Sequence, residues 1–205
     1  MTSNTSLLRS GLAGADVQDV LGNGLLAYTA QAIQAPDTLF RTLLHDIAWE
    51  AGFVTLYGKR HQVPRLQAWY GDEGIRYTYS GETLTTRVWT PVLAQLRDEL
   101  SAQFGLPLNS VLCNLYRSGQ DSMGWHSDDE PELGVRPRIL SLSLGAVRDF
   151  ALRPKGSGRQ HTVLALANGS LLDMRPGLQD NWQHALPKRM KTALPRINLT
   201  FRFIV

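Results

Sequence analysis

Ile139-Leu140-Ser141-Leu142-Ser143-Leu144-Gly145 alternates strictly between apolar and polar residues, and Asn198-Leu199-Thr200-Phe201-Arg202-Phe203 does the same near the end of the chain. Because successive side chains of a strand point to opposite faces of a sheet, this period of two predicts strands. The runs 162–166 and 170–174 are more continuously apolar, as inner strands usually are. From residue 111 onward, the chain is therefore predicted to form short strands separated by turns.

Two helices are predicted before these strands. Pro36 starts the first, which Asp37 or Thr38 caps, and apolar residues then recur at helical spacing to about Trp49. Thr90-Pro91 opens the second helix and Gly105 ends it. Many short strands together with two supporting helices indicate an α+β domain, mainly β, whose sheets form a jelly-roll sandwich.

The 205 residues are enough for one domain with a sizeable core, and 43% hydrophobic and 19% charged residues are typical of a soluble globular protein. Residues 23–205 are predicted to form this domain, with a short edge strand at 25–28, and residues 1–22 a flexible arm. The single cysteine, Cys113, excludes an internal disulfide framework. We therefore expect a cytoplasmic protein, since no apolar run is long enough to cross a bilayer and no secretion signal is evident, and we expect it to be a monomer.

The net charge of +3 is distributed unevenly along the chain. Residues 153–205 contain nine Lys and Arg against two acids, which fits either a phosphate-binding surface or an ordinary solvated face. Residues 56–80 combine aromatic residues with cations, which suits base stacking as well as a plain sheet face. The residues by themselves leave both pairs of alternatives open.

His126 and Asp128 form an H-x-D pair, and His184 follows His126 by 58 residues. In an extended segment, residues two apart point the same way, so both side chains can bind one ion. Two histidines and one carboxylate are the ligands of non-haem Fe(II) oxygenases, although a zinc hydrolase site accepts them too. Arg196 and Arg202 favour iron, because guanidinium groups bind the carboxylates of a dicarboxylate co-substrate.

At these residues the chain resembles the AlkB family of Fe(II)/2-oxoglutarate-dependent nucleic-acid demethylases, from about residue 50 to the end. Its closest likeness is to the animal-type DNA-repair branch. The resemblance rests on the segments Pro64–Gly71, Tyr77–Gly81, Asn114–Tyr116, Trp125–Glu130, Asn181–His184 and Pro195–Arg202.

This resemblance implies a double-stranded β-helix with a nucleotide-recognition hairpin region at residues 50–82. It implies that His126, Asp128 and His184 hold the iron. The implied 2-oxoglutarate site consists of Asn114, Tyr116, Arg196, Asn198, Thr200 and Arg202. The implied substrate contacts are Leu56 and Tyr57 in a finger, with Arg65, Trp69, Tyr77, Tyr79, Ser80 and Glu130 around the base. A Tyr at the fingertip, where the duplex-specific pattern has Phe, leaves the choice between one strand and two open.

The implied function is oxidative demethylation of N1-methyladenine and N3-methylcytosine in DNA, single- or double-stranded, as direct reversal of alkylation damage. Oxygen is the co-substrate, and formaldehyde, succinate and CO2 are the products. The alternatives are a 2-oxoglutarate-dependent hydroxylase or demethylase acting on RNA, protein or a small molecule, and a jelly-roll binding protein with a structural metal or none.

Overall fold

The computed structural model of the chain describes residues 5–12, 17–56, 58–79 and 82–205, and gives the backbone alone for residues 55–56, 76–79 and 82–85. The α-helices are Pro36–Asp46 (α1), Pro91–Phe104 (α2) and Leu178–Asn181 (α3), and a 3-10 turn spans Pro131–Leu133. The strands are Gln18–Asp19 (β1), Leu26–Thr29 (β2), Glu50–Leu56 (β3), Lys59–Gly71 (β4), Arg76–Tyr79 (β5), Glu82–Thr85 (β6), Ser110–Tyr116 (β7), Met123–His126 (β8), Ile139–Gly145 (β9), Arg148–Pro154 (β10), Thr162–Leu166 (β11), Ser170–Met174 (β12), Trp182–Leu186 (β13) and Arg196–Arg202 (β14).

Helix α2 has the ends that the sequence predicts. The Thr90 side chain accepts a hydrogen bond from the Leu93 N–H (3.3 Å), and Gly105 ends the helix in the left-handed conformation at φ 63°. Helix α1 begins at Pro36 as predicted, but its N-cap is Ala35 and it stops at Asp46 instead of near Trp49. Asp37 does not cap it, because its carboxylate instead accepts a hydrogen bond from the Asn168 side chain (2.7 Å).

Within the described residues, no helix is both long and apolar enough to cross a membrane.

The strands form two main sheets and a separate β5–β6 hairpin. The large sheet has the order β1-β2-β12-β9-β14-β7-β4-β3 and the small one the order β11-β10-β13-β8. Each pairing between these named strands is antiparallel. The prediction of a mainly β jelly-roll architecture with two supporting helices is thus confirmed.

Strand β14 lies at the centre of the large sheet and shows how its two faces differ. Ile197, Leu199 and Phe201 pack with the leucines of α1 and α2 in one fully buried cluster. Fully burying such a side chain contributes about 1.5–3 kcal/mol, so this helix-covered face stabilises the sheet. The alternate residues of β14 turn toward the small sheet, and there they are polar or charged. The strict alternation in the sequence therefore separates a stabilising face from a face that is free for chemistry.

The expectation of a flexible arm over residues 1–22 is wrong for residues 5–12. Leu8 and Leu12 are 1% and 5% exposed and belong to the core beside α2. The carboxylate of Glu99 on α2 accepts hydrogen bonds from the backbone N–H groups of Leu7 and Leu8 at 2.8–3.1 Å. This segment docks as an extended chain, so it lacks the helical or strand periodicity by which sequence analysis detects buried elements. Residues 1–4 and 13–16 of the predicted arm lie outside the described residues.

The strand predicted at 25–28 is found one residue later, as β2. It pairs with β12 on one side and with the two-residue β1 on the other, so it lies one position in from the edge. All four of its residues are buried. A two-residue outer strand leaves little free edge for pairing with other chains.

Glu99→Gln is expected to lower the melting temperature at pH 7 by loosening residues 5–12. Burial raises the pKa of the Glu99 carboxyl, but hydrogen bonds from Gln95, Leu8, Leu7 and Ser6 outweigh it and leave the pKa below its usual 4.5. A lowered pKa gives stability that is present above 4.5 and is lost as the pH falls through the folded-state pKa. The melting-temperature gap between wild type and variant should therefore shrink on acidification below pH 4.5. Asp98→Asn is the control, because it removes the charge of the neighbouring carboxylate without changing the contact with residues 5–12. If Asp98→Asn lowered the melting temperature as much as Glu99→Gln does, the role of Glu99 in holding residues 5–12 would be contradicted.

Candidate functional site

A cavity lies between the two sheets and contains about 570 Å³ of empty space, its open mouth included. Both sheets contribute to its wall. The lining residues are Arg65, Leu112, Asn114, Tyr116, Met123, His126, Asp128, Ser141, Phe150, Leu166, Met174, His184, Ala185, Leu186, Arg196, Asn198, Thr200 and Arg202. The cavity thus joins the polar face of the large sheet to the histidines of the small one.

The two histidines and the aspartate of the predicted metal site meet at this cavity. His126 on β8 and His184 on β13 are register partners across the small sheet, and Asp128 follows just after β8. Nε2 of His126 lies 3.8 Å from Oδ1 of Asp128, and Nε2 of His184 lies 4.0 Å from Oδ2. One ligand atom from each residue lies within 4.8 Å of the others. The three can therefore face one ion from one side, which leaves its remaining positions open.

The protonation of these residues suits a metal ion. Burial lowers the pKa of His126, and burial together with the neighbouring His126 lowers the pKa of His184 to about 3, so both imidazoles are neutral at pH 7. Nδ1 of His126 donates to the carbonyl oxygen of Gly124 (2.9 Å), which leaves the lone pair on Nε2. Burial opposes ionisation of Asp128, but the charge of Arg202, the neighbouring His184 and His126 and the hydrogen bond from Arg202 together outweigh it and lower the pKa of this carboxyl.

Arg202 lies where sequence analysis placed it, in the cavity, but it binds a different group. Its Nη2 donates to Oδ1 of Asp128 (3.0 Å), and both residues are almost fully buried. Arg202 therefore holds the candidate metal carboxylate in its ionised form. The contact of Arg202 with a co-substrate carboxylate, which the resemblance implies, stays a prediction.

Arg196 interacts with Ser143 and Tyr116 and still has buried donors that a guest could use. It is 2% exposed, its Nη2 donates to Ser143 Oγ (2.8 Å), and among the described residues its Nε and Nη1 have no hydrogen-bond partner. Burial lowers the pKa of Arg196 to about 10, so it remains charged at pH 7. A buried cation with unused donors is costly unless an anion completes it. The Tyr116 ring lies beside it, with its centroid 5.3 Å from the guanidinium carbon.

The cavity carries more positive than negative charge. Among the described residues that line it, three are arginines (Arg65, Arg196 and Arg202) and only Asp128 is acidic. With both imidazoles neutral, the surplus is two positive charges, three minus one. Arg65 is 2% exposed and donates from Nε to Oδ1 of Asn114 (2.9 Å), so the amide NH2 of Asn114 is what that residue offers the cavity. A guest with two carboxylates matches this surplus.

The remaining predicted co-substrate residues, Asn198 and Thr200, also line the cavity. The side-chain nitrogen of Asn198 donates to Ser141 Oγ (2.7 Å) and to the Leu142 carbonyl (3.0 Å), and Thr200 Oγ1 donates to Oδ1 of Asn198 (3.2 Å). The two bonds of the Asn198 nitrogen join β14 to β9 and the Thr200 bond lies within β14, so the polar face is held in place before any guest binds.

The residues predicted around the base are less fully placed. Trp69 is 4% exposed and packs in the core between the sheets. Glu130 is partly buried and, like Trp69, is not among the described residues that line the cavity. Asp129 points away and pairs with Lys155 at 2.8 Å. Tyr57 and Ser80 lie outside the described residues, and only the backbone is described for Leu56, Tyr77 and Tyr79.

Sequence analysis missed several residues of the site. Ser141 and Ser143 support Asn198 and Arg196, and their positions on the polar face of the alternating run 139–145 were the available signal. The Phe150 ring stacks on His184 with centroids 5.1 Å apart. Gln179 accepts a hydrogen bond from the backbone N–H of Asp128 (3.0 Å). No local pattern distinguishes Gln179, because its partner lies 51 residues away.

Comparison with known proteins agrees with this geometry. The model of the 2OG-Fe(II) oxygenase superfamily matches residues 23–202. The chain belongs to this superfamily. Among the relatives of this oxygenase, the DNA oxidative demethylase ALKBH2 of Bos taurus is 45% identical over 179 residues, which are 82% of this chain and 64% of that protein.

A second relative, the alpha-ketoglutarate-dependent dioxygenase alkB homolog 3 of Bos taurus, is 41% identical over 181 residues, 84% of this chain and 63% of that protein. The chain thus spans about two thirds of the length of these relatives. A solved structure of OsALKBH1 shares the fold, with a TM-score of 0.63 at 18% identity, over 91% of this chain and 99% of the other. The resemblance to AlkB-type enzymes that the sequence indicated is confirmed.

Membership of this oxygenase superfamily implies Fe(II) and 2-oxoglutarate, and the residues present fit both. Two neutral imidazoles and one ionised carboxylate are a ligand set for non-haem Fe(II). The unused donors of Arg196 and the surplus of two positive charges fit a dicarboxylate.

Proposed function

We propose that this oxygenase removes methyl groups from N-alkylated bases of DNA, N1-methyladenine and N3-methylcytosine, and so directly reverses alkylation damage. The observation that carries the proposal is the His-Asp-His trio opening onto a cavity with two surplus positive charges. The substrate class is supported by the 45% identity to a DNA oxidative demethylase. The RNA, protein and small-molecule alternatives are outcomes of the test below.

In this proposal His126, Asp128 and His184 hold Fe(II), and Arg196 holds one carboxylate of 2-oxoglutarate. Arg196 has two nitrogens available for it, which suits the planar, two-bonded geometry of a guanidinium–carboxylate pair. Asn114, Tyr116, Asn198 and Thr200 surround the same space and supply neutral hydrogen-bonding groups. Arg202 contributes through Asp128, whose negative charge it balances.

Fe(II) with 2-oxoglutarate and oxygen supplies, when bound, the oxidation that hydroxylates the N-methyl carbon, after which the product loses formaldehyde. The protein positions the reactants and controls their protonation. The apolar part of the wall, formed by Leu112, Phe150, Leu166, Met174 and Leu186, limits water around the metal and strengthens the ion pairs. Phe150 also holds the His184 ring in its plane by stacking.

Selection of damaged bases follows from their weakened pairing. Methylation at N1 of adenine or N3 of cytosine blocks the pairing edge, so flipping the base out of a duplex costs less. We assign the base contacts, from the sequence alone, to Leu56, Tyr57, Tyr77, Tyr79, Ser80 and Glu130.

The basic segment Lys188–Lys191 is exposed and suits contacts with phosphates. We also propose a monomer working in the cytoplasm; the single cysteine, Cys113, suits a reducing compartment.

The test is demethylation of oligonucleotides that each carry one N3-methylcytosine, with product mass as the readout. Single-stranded DNA, duplex DNA and RNA of the same sequence are compared, with and without Fe(II) and 2-oxoglutarate. We expect loss of the methyl group from DNA that depends on both. The ratio of single-stranded to duplex turnover reports what the segment around Tyr57 does.

Other outcomes would redirect the proposal. Turnover confined to the RNA oligonucleotide would replace DNA by RNA as the substrate. Succinate formation without loss of the methyl group would keep the oxygenase and exclude these bases as substrates. Absence of both would contradict the assignment of the metal and co-substrate residues.

A further inference from the structure

We propose that Gln179 is a positioning residue for the metal centre, which acts by fixing the backbone that carries Asp128. The inference rests on the metal assignment proposed above. Gln179 lies on the one-turn helix α3 and is 1% exposed. Its Oε1 accepts a hydrogen bond from the backbone N–H of Asp128 at 3.0 Å.

The orientation of the Gln179 amide is set by its two partners. Nε2 points at Sδ of Met174 at 3.6 Å, and a thioether sulfur only accepts hydrogen bonds. The N–H of Asp128 only donates. A flipped amide would set NH2 against N–H and its oxygen against sulfur, and both contacts would be lost. The oxygen of Gln179 is therefore committed to Asp128.

Asp128 depends on this bond because of its place in the chain. Strand β8 ends at His126, so the regular pairing with β13 no longer holds the backbone two residues later. Among the described residues, Gln179 is the acceptor for the Asp128 N–H. A buried N–H without a partner is costly, so loss of this acceptor would move the turn toward another partner or toward water.

A second bond ties the same turn to the strand of the other ligand. Ser127 Oγ donates to the carbonyl oxygen of Trp182 (2.8 Å), at the start of β13, two residues before His184. Helix α3 is itself held by Asn181, whose side-chain nitrogen donates to the Gly177 carbonyl (2.9 Å). Gln179 and Ser127 thus fasten the segment of Asp128 to the segment of His184, so the two ligands stay together before the metal binds. Partners of this kind behind a metal ligand typically affect affinity by about 10–100-fold.

The experiment measures Mn(II) binding to the metal-free full chain in the presence of 2-oxoglutarate, by calorimetry, together with thermal melting of the metal-free protein. Gln179→Met removes the strong acceptor at nearly the same volume, and we expect about tenfold weaker Mn(II) binding. Gln179→Glu keeps an acceptor oxygen at the same position; because the site is buried, the new carboxyl stays protonated with its O–H toward Met174, and the variant should bind Mn(II) more tightly than Gln179→Met. Asn181→Ala disturbs α3 without touching Asp128 and should leave Mn(II) affinity unchanged.

The outcomes separate this inference from the metal assignment. Wild-type Mn(II) affinity in Gln179→Met overturns the positioning role, whatever happens to the melting temperature. An equal loss of affinity in Asn181→Ala overturns it too, since general damage to α3 would then be the cause. If Gln179→Met fails to fold, Gln179→Asn takes its place, because its amide oxygen stops one carbon short of Asp128. No Mn(II) binding by wild type would overturn the metal assignment itself.

Discussion

Asp128→Ala is expected to abolish turnover, because it removes the one carboxylate of the metal-ligand set. The loss should exceed the roughly 10–100-fold that follows from losing a partner behind a ligand. Two neutral imidazoles alone leave the positive charge of the metal facing Arg202 without compensation. Mn(II) calorimetry and the N3-methylcytosine assay together measure the effect.

The same variant should also lower the melting temperature of the metal-free protein. Breaking a buried ion pair by removing one partner costs about 3–5 kcal/mol, and Arg202 would lose its carboxylate partner in a site where it is 3% exposed. Adding Arg202→Met to Asp128→Ala should restore much of this stability without restoring turnover, which separates the two roles of the carboxylate.

Asp129→Asn is the matched control, since it removes the neighbouring carboxylate, which is exposed and pairs with Lys155. It should retain metal binding and turnover close to those of wild type. Iron-dependent turnover in Asp128→Ala, or its loss in Asp129→Asn, would contradict the assignment of Asp128 as the ligand.

Arg196→Met is expected to weaken 2-oxoglutarate binding by about 100-fold, within the range for removing one partner of a buried charge pair. The physical reason is that Arg196 has buried nitrogens without a hydrogen-bond partner among the described residues, so a carboxylate is what completes it. Calorimetry of 2-oxoglutarate with the Mn(II)-loaded protein measures the affinity.

The metal-free Arg196→Met protein should melt at the same temperature as wild type or higher. A buried, incompletely paired cation costs stability, and methionine fills much of its volume without charge. Arg175→Met is the control, because Arg175 pairs with Asp173 outside the cavity. That variant should keep its 2-oxoglutarate affinity and lose some stability. Unchanged 2-oxoglutarate affinity in Arg196→Met would place the co-substrate elsewhere.

Local features of the sequence predicted much of the fold because their physical causes are local. Thr90 and Gly105 mark the ends of α2, since capping and left-handed backbone act within one turn of the chain. The alternation along β14 assigns Ile197, Leu199 and Phe201 to one face and the polar residues to the other. The H-x-D spacing likewise places two ligands on the same side of an extended segment.

The long-range partners of these residues came only from the tertiary structure. Sequence analysis assigned Arg196 and Arg202 together to the carboxylates of the co-substrate. In the structure, Nη2 of Arg202 lies 3.0 Å from Asp128, whereas Arg196 lies beside Ser143 and Tyr116. Two arginines look identical in a sequence, and the nearest anion in three dimensions decides what each one does. For the same reason the docking of residues 5–12 on Glu99 was missed.

The sequence by itself thus determined several strands, the two longer helices, the three candidate metal ligands and the superfamily, because each depends on spacing along the chain. The tertiary structure alone decided that Arg196 keeps free donors, that Arg65 adds a third positive charge to the cavity, and that Gln179 holds Asp128. These depend on strand order and on contacts between residues 49 to 74 positions apart, which local periodicity does not encode.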